Sequence, residues 1–89
     1  MRAIVTVIGK DRVGIIANVC GMLADNGVNV LDIRQTILQE YFTMIMIVDT
    51  AASTSDFTAL ADLLKTKGEE NGVVIRIQRE DIFEAMHRI

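Results

Sequence analysis

The segment from Tyr41 to Val48, YFTMIMIV, carries apolar side chains at nearly every position. Its β-branched and aromatic residues favour extended structure, and its length is that of an ordinary strand. A strand that is apolar on both faces belongs in the middle of a sheet, or in a sheet that is covered on both sides. The sequence therefore predicts a sheet with this segment near its centre.

Five further segments surround this strand, and no internal linker separates them. The predicted elements are strand Ala3–Ile8, helix Ile15–Asn26, strand Asn29–Leu38, strand Tyr41–Val48, helix Phe57–Lys67 and strand Val73–Gln78, with a short helical turn at Ile82–Met86. Two crossover units that share a sheet predict an α+β, ferredoxin-like βαββαβ sandwich. In that fold the antiparallel strand order is 4-1-3-2, both helices lie on one face, and the third strand is central. One domain spanning residues 1–89 is expected.

Periodicity assigns a buried side to the helices and to the second strand. The predicted buried helix residues are Ile16, Val19 or Cys20, Leu23, Phe57, Leu60 and Leu64. The expected helix stops are Gly27 and Gly68, with capping side chains at Ser53 to Asp56. In the second strand, one face is expected to carry Leu31, Ile33 and Ile37, and the other Asp32, Arg34 and Thr36. Asp32 and Arg34 are interpreted as ordinary surface or dimer-contact charges.

The composition is more apolar than so short a chain can bury. Hydrophobic residues make up 51% of the 89 residues, and charged residues make up 24%. A domain of this size buries only about 60–65% of the surface that its unfolded chain exposes. Some apolar surface is therefore expected at a subunit interface, in a homodimer or a higher homo-oligomer.

Charge and cysteine content exclude several functions. A net charge of −3, one Tyr and three Phe leave neither a basic stripe nor aromatic platforms for nucleic acid. One Cys and one His cannot complete a metal site or a CxxC motif, and no cofactor is indicated. No window approaches the roughly 18 apolar residues of a membrane span, so a cytoplasmic protein is expected.

The segment Gly9–Gly14, GKDRVG, is the strongest candidate site. It joins a strand to a helix, where free N–H groups and the helix dipole attract an anionic group such as a carboxylate. Gly9 and Gly14 permit a tight turn and close approach to a ligand, and Asp11 can cap the helix or accept hydrogen bonds from an ammonium group. The same residues fit a plain turn and cap equally well, because GxxxxG without a following Lys–Ser/Thr is not a phosphate loop.

The run GKDRVGIIANVCGMLADNGVNVLDI resembles the opening of ACT domains, in which D-R-x-G-I/L leads into the first helix and G-x-N-I begins the second strand. The hairpin QEYFTMIMIVD and the ending DIFEAMHRI resemble small bacterial and archaeal proteins that consist of one ACT domain each. The chain is also similar to each half of the glycine-cleavage repressor. The resemblance covers the whole chain and implies a non-catalytic regulatory module that senses a small molecule, with an amino acid as the expected ligand.

The resemblance also indicates which residues would hold a ligand. In the serine-sensing ACT domains of phosphoglycerate dehydrogenase, side chains of the first loop and an Asn that begins the second strand hold the effector. These positions correspond here to Asp11 and Asn29, while Gly9 replaces the histidine that leads the loop. The residues predicted to bind the ligand are Gly9, Lys10, Asp11, Arg12, Val13, Gly14, Ile15 and Asn29.

The two parts of this site are too far apart to meet in one chain. Twelve helical residues separate the loop from Asn29 by about 18 Å. If two copies pair their second strands antiparallel about a two-fold axis, the loop of one meets Asn29 of the other, and an exposed edge is covered. The site is therefore expected to belong to a homodimer whose interface responds to the ligand.

Two other functions stay open at this point. A dimer without any ligand could dock on a protein partner as a structural module. Acylphosphatases share the topology and use an Arg in the first loop and an Asn on the second strand, so Arg12 and Asn29 invite that comparison. Their loop pattern is absent, and the chain offers neither a Ser-His-Asp set nor paired carboxylates in a pocket, so no enzymatic activity is expected.

Overall fold

The computed structural model describes residues 1–10, 14–54 and 56–81. Its elements, in chain order, are β1 (Arg2–Lys10), α1 (Ile15–Asp25), β2 (Asn29–Leu38), β3 (Tyr41–Asp49), α2 (Phe57–Glu70) and β4 (Val74–Arg79). The helical turn predicted at Ile82–Met86 lies outside the described residues. Neither helix of the described ranges has the length and hydropathy of a membrane span.

The four strands form one antiparallel sheet in the order β2-β3-β1-β4, which confirms the predicted ferredoxin-like arrangement. β3 is central and pairs with β1 and β2 along its whole length. Its residues Phe42, Met44, Met46 and Val48 are at most 2% exposed and belong to the core beneath the helices. The intervening side chains, including Ile45, therefore lie on the helix-free face, and both faces of β3 are apolar as the sequence indicated.

One apolar core joins the sheet to both helices. The helices contribute Ile15, Val19, Leu23, Leu60 and Leu64 as buried apolar residues. The prediction that Ile16 is buried was wrong, because its side chain is 37% exposed. α1 begins at Ile15, and the residues spaced four apart from this start form the stripe that faces the sheet.

α2 extends beyond its predicted end, and Gly68 lies within it. At its start, Asp56 Oδ1 accepts the N–H of Ala59 at 2.7 Å, as the capping prediction required. A Cβ at Gly68 would lie 2.9 Å from the carbonyl oxygen of Val73. Gly68 is therefore needed for the close approach of α2 to the following strand, and the helix ends instead at its C-cap residue, Asn71.

The alternation predicted for β2 holds only after an irregularity at Leu31. The register of β2 against β3 passes directly from Val30 to Asp32, which is the signature of a β-bulge. From Asp32 onward the strand alternates as predicted, with Ile33 and Ile37 on the helix side. Leu31 is not part of that alternation, because the extra residue shifts the pleat.

Candidate functional site

β1 reaches further than predicted, because Gly9 and Lys10 belong to the strand and not to the turn. They pair with Phe42 and Tyr41 of β3. A Cβ built on Gly9 would lie only 2.6 Å from Val73 Cγ1. No side chain fits at this position without displacing Val73, so Gly9 can offer a ligand only its backbone.

Lys10 is the last residue of β1, and its side chain is exposed. Successive side chains of a strand point to opposite faces. Because Gly9 shares the helix side with Phe42, Lys10 lies with Tyr41 on the helix-free side. Its positive charge is thus at the correct end of the sheet but on the face away from α1.

The N-cap residue of α1 is Gly14, which has a φ of 86°. Its carbonyl oxygen accepts the N–H of Asn18 at 2.9 Å, which is the first bond of the helix. The N–H groups before Asn18 precede that ladder and, with the helix dipole, favour an anionic group. Ile15 is only 4% exposed, so its side chain belongs to the core and only its N–H can serve a ligand.

Asp11, Arg12 and Val13, the centre of the predicted loop, lie outside the described residues. Their roles as ligand contacts stay predictions. The described residues on either side, Lys10 and Gly14, define where this segment leaves β1 and where it enters α1. Both flanking residues belong to the end of the sheet at which β1 terminates.

Asn29 is exposed and begins β2 at the opposite end of the sheet. It pairs with Asp49, which in turn pairs with Arg2 at the start of β1. The nine residues of β1 from Arg2 to Lys10 span about 26 Å at the ordinary rise of a strand. Asn29 and the β1–α1 segment of the same chain therefore cannot share one small ligand.

The charge nearest the start of β2 is the carboxylate of Asp49. Its Oδ1 accepts the N–H of Ala51 at 2.9 Å and lies 3.4 Å from the N-terminal amine of Met1. The Ala51 hydrogen bond above all, with added attraction from the amine and from Arg2, lowers the pKa of Asp49, although desolvation opposes this. A negative charge is thus held beside Asn29.

β2 presents a free edge of the sheet. Apart from Val30, every residue of the strand is exposed. The exposed apolar residues of β2 are Leu31, Ile33, Ile37 and Leu38, with exposures between 40% and 73%. A long and apolar free edge of this kind is a template for pairing with another chain.

A surface groove of about 510 Å³ lies elsewhere, between α2 and β4. It shares no residue with the predicted site. The polar residues that line it are Asp62, Lys65, Glu69, Arg76 and Gln78. None of them is buried, so they do not form an enclosed polar site that would orient a ligand. The described residues also contain no cluster of His, Cys, Asp and Glu that could hold a metal ion. The β1–α1 segment is therefore the stronger candidate for binding.

Sequence and structure comparisons agree on one family. The family model described as the ACT domain matches residues 2–78. The chain belongs to the ACT domain family. It is 56% identical over 88 residues to a UPF0237 protein of Bifidobacterium longum, with 99% of this chain and 98% of the relative covered. An ACT domain protein from Streptococcus pneumoniae is 47% identical, with a TM-score of 0.83 and 98% of both chains covered.

A further solved structure is that of a candidate glycine cleavage system transcriptional repressor. It is 25% identical with a TM-score of 0.75, and the match covers 86% of this chain and 44% of that one. This finding and the family match confirm the resemblance seen in the sequence. An ACT domain is a regulatory, ligand-binding kind of module, and the family that matches is not a catalytic one.

The centre of β2 carries Asp32 and Arg34, which the sequence indicates as surface or dimer-contact charges, and the structure adds a hydrogen bond at Asp32. The N–H of Ile33 donates to Oδ1 of Asp32 at 2.9 Å, on the exposed edge of the sheet. Within the described ranges Arg34 makes no ion pair. The signal available in the sequence was a pair of opposite charges two residues apart in the middle of an exposed strand.

Proposed function

We propose that this ACT domain is a homodimer that binds an amino acid, or a similarly small polar ligand, between the β1–α1 segment of one subunit and Asn29 of the other. The observation that supports this proposal is the separation of the two half-sites at opposite ends of one sheet, combined with the free edge of β2. Antiparallel pairing about a two-fold axis carries the start of one β2 to the end of the other.

The proposed ligand contacts follow from the chemistry of each half-site. The N–H groups of the first turn of α1, after Gly14, donate hydrogen bonds to the carboxylate of the ligand. The Asp11 carboxylate accepts hydrogen bonds from the ammonium group of the ligand. The side-chain amide of the partner's Asn29 can both donate and accept hydrogen bonds. Because one ligand then touches both subunits, its binding stabilises one arrangement of the dimer and can be read by another protein.

Isothermal titration of the protein with each of the twenty amino acids tests the proposal. At least one should release heat, and Asn29→Ala should abolish that heat. Thr66→Ala, an exposed change on α2, is the control and should leave it unaltered. No heat from any of the twenty at millimolar concentration would contradict ligand binding.

Mixing two inactive variants tests whether the site is shared. Asp11→Ala damages the loop and Asn29→Ala damages the strand, so each homodimer has two defective sites. A heterodimer of the two variants has one intact site and one doubly defective site. Random exchange of subunits should therefore restore binding at about one quarter of the wild-type stoichiometry. Absence of any restored binding would contradict a site that is shared between the two subunits.

A docking module without a ligand is the second candidate. It is favoured by the limited side-chain chemistry at the first half-site, where Gly9 has no room for a side chain and Ile15 is buried. Recovery of one stoichiometric protein partner, together with silent titrations, would support this function in place of sensing.

A further inference from the structure

The backbone groups of β2 fall into two sets, one directed to β3 and one directed to the free edge. The two-residue turn at Gln39–Glu40 joins the strands, and Leu38 pairs with Tyr41 across it. A turn of this length closes on a pair that exchanges both backbone hydrogen bonds, and such pairs recur at every second residue. The residues directed to β3 are thus Leu38, Thr36, Arg34 and Asp32.

Ile33, Gln35 and Ile37 consequently direct their N–H and C=O groups away from the sheet. The hydrogen bond from the Ile33 N–H to Asp32 Oδ1, at 2.9 Å, agrees with this assignment, because it shows that the Ile33 N–H is not directed to β3. In the single chain the Asp32 carboxylate therefore accepts a hydrogen bond from a backbone N–H that would otherwise donate to a second strand.

Two-fold symmetry limits how two such edges can pair. The residues that direct their backbone groups to the free edge must lie opposite the same set of residues in the partner strand. Because these residues occur at every second position, the two-fold axis passes through a residue and not between two residues. With the axis at Ile33, Asp32 lies opposite the partner's Arg34, and this contact occurs twice. With the axis at Arg34 two arginines lie opposite each other, and with the axis at Gln35 no opposite charges face each other.

We infer that two subunits pair antiparallel through β2 with Ile33 on the two-fold axis and with reciprocal ion pairs between Asp32 and Arg34 of the partner subunit. Opposite charges directly across an antiparallel pair are stabilising, and like charges are destabilising. On pairing, the Ile33 N–H donates to a carbonyl of the partner, and the freed carboxylate receives the guanidinium group. The inference rests on the proposed function, whose dimer it specifies.

The same register brings the two half-sites together. Because of the bulge at Leu31, Asn29 lies only three paired positions from Ile33. With Ile33 on the axis, the partner's Asn29 therefore lies opposite Thr36, which pairs with Thr43, which pairs with Ile8. Asn29 of the partner subunit is then level with Ile8, two residues before β1 ends at Lys10 and the β1–α1 segment begins. With the axis at Gln35, the partner's Asn29 would lie beyond the end of β2 and away from that segment.

Single cysteines identify the residue on the axis. In a Cys20→Ser background, only an on-axis cysteine brings the two Cα atoms within the roughly 4.4–6.8 Å that a disulfide requires. Under mild oxidation Ile33→Cys should form a covalent dimer, and Gln35→Cys should not. Val74→Cys, an exposed position on the other edge strand, is the control. Cross-linking through position 34 or 35 in place of 33 would overturn the register and leave the dimer intact.

Charge exchange tests the ion pairs independently. Asp32→Arg and Arg34→Asp each turn two attractive contacts into two repulsive ones, and each should weaken dimerisation by about tenfold or more. The double variant restores opposite charges and should return the dissociation constant to near the wild-type value, as measured by analytical ultracentrifugation. If the single variants dimerised as well as the wild type, the ion pairs would be contradicted, and the register would be left to the cysteine experiment. A wild-type protein that is monomeric at all concentrations would overturn the proposed function as well.

Discussion

The two edge strands of this sheet are built differently. β4 has six residues, and it buries Ile75 and Ile77 in the core. β2 has ten residues and none of them is buried, although Ile33 and Ile37 lie on the helix side of the sheet. The chain thus buries side chains of one edge strand and leaves those of the other exposed, which supports the proposed pairing through β2.

The position of the helices explains this difference. α2 lies close to β4, because Gly68 has no Cβ and so allows a backbone contact with Val73 that a side chain would crowd. α1 buries Ile15, Val19 and Leu23, but Ile37 of β2 remains 53% exposed. Substitutions in β4 should therefore act on folding, whereas substitutions in β2 should act on dimerisation.

The largest difference is expected between two matched isoleucine truncations. Ile75→Ala removes a side chain that is 3% exposed, and it should lower the free energy of unfolding by about 3 kcal/mol. Ile37→Ala removes the same atoms from an exposed site and should change the unfolding of the monomer by less than about 1 kcal/mol. Urea denaturation of both variants at one low protein concentration provides the measurement. Equal losses would show that β2 is as much a part of the folded core as β4.

A pair of glycine substitutions tests the cause of this asymmetry. Gly68→Ala places a Cβ 2.9 Å from a backbone oxygen and should lower the unfolding free energy by about 1–2 kcal/mol through overpacking. Gly21→Ala, in α1, meets nothing within 4 Å and should stabilise the protein by about 0.5–1 kcal/mol through helix propensity. Thermal denaturation distinguishes the two signs. A stabilising Gly68→Ala would mean that α2 does not depend on close contact with β4.

Much of the fold could be predicted from local patterns. The apolar run from Tyr41 to Val48 predicted the central strand, and the order of elements predicted the sheet topology. The errors came from three-dimensional causes. The choice between Ile15 and Ile16 depends on where α1 begins, the role of Gly68 depends on a strand that comes later in the chain, and the bulge at Leu31 depends on the register with β3.

The candidate site was less predictable than the fold. The sequence indicated the two half-sites and their separation, because helix length alone keeps Asn29 away from the loop. It could not show that Gly9 packs against Val73, or that Lys10 points to the helix-free face, since both facts depend on strand pairing. The sequence indicated Asp32 as a possible dimer-contact charge, but the hydrogen bond that it accepts from the Ile33 N–H is seen only in the structure.

A lysine substitution on each edge strand tests dimerisation apart from folding, and its expected effect is smaller. Ile37→Lys puts a charge on the proposed pairing edge and should weaken the dimer by about tenfold, or about 1.4 kcal/mol. Val74→Lys, at a site of similar exposure on β4, should leave dimerisation unchanged. Sedimentation equilibrium of the two variants measures the effect. Dissociation caused by Val74→Lys, with no effect of Ile37→Lys, would assign the interface to the other edge.

The smallest effect on stability is expected from the Asp49 carboxylate, whose pKa should not depend on whether the protein is dimeric. Its pKa is lowered chiefly by the Ala51 N–H, so the contribution to stability is fully present above the ordinary pKa of an aspartate. That contribution is lost as the pH falls through the lower pKa of the folded state. Carboxyl NMR titration should show a lowered pKa in the wild type and equally in the Asp32→Arg variant, whose dimer is weakened.

Replacing Ala51 by proline isolates the cause of this shift. Ala51→Pro removes the N–H that donates to Asp49 Oδ1. Proline fits this position, because Ala51 is the second residue of a turn in which the Ser53 N–H donates to the Thr50 carbonyl. The pKa of Asp49 should therefore rise toward its ordinary value while the dimer persists. The opposite result would be a pKa of Asp49 that returns to its ordinary value in Asp32→Arg and stays low in Ala51→Pro. In that case the charge of Asp49 would depend on the partner subunit and not on the Ala51 N–H.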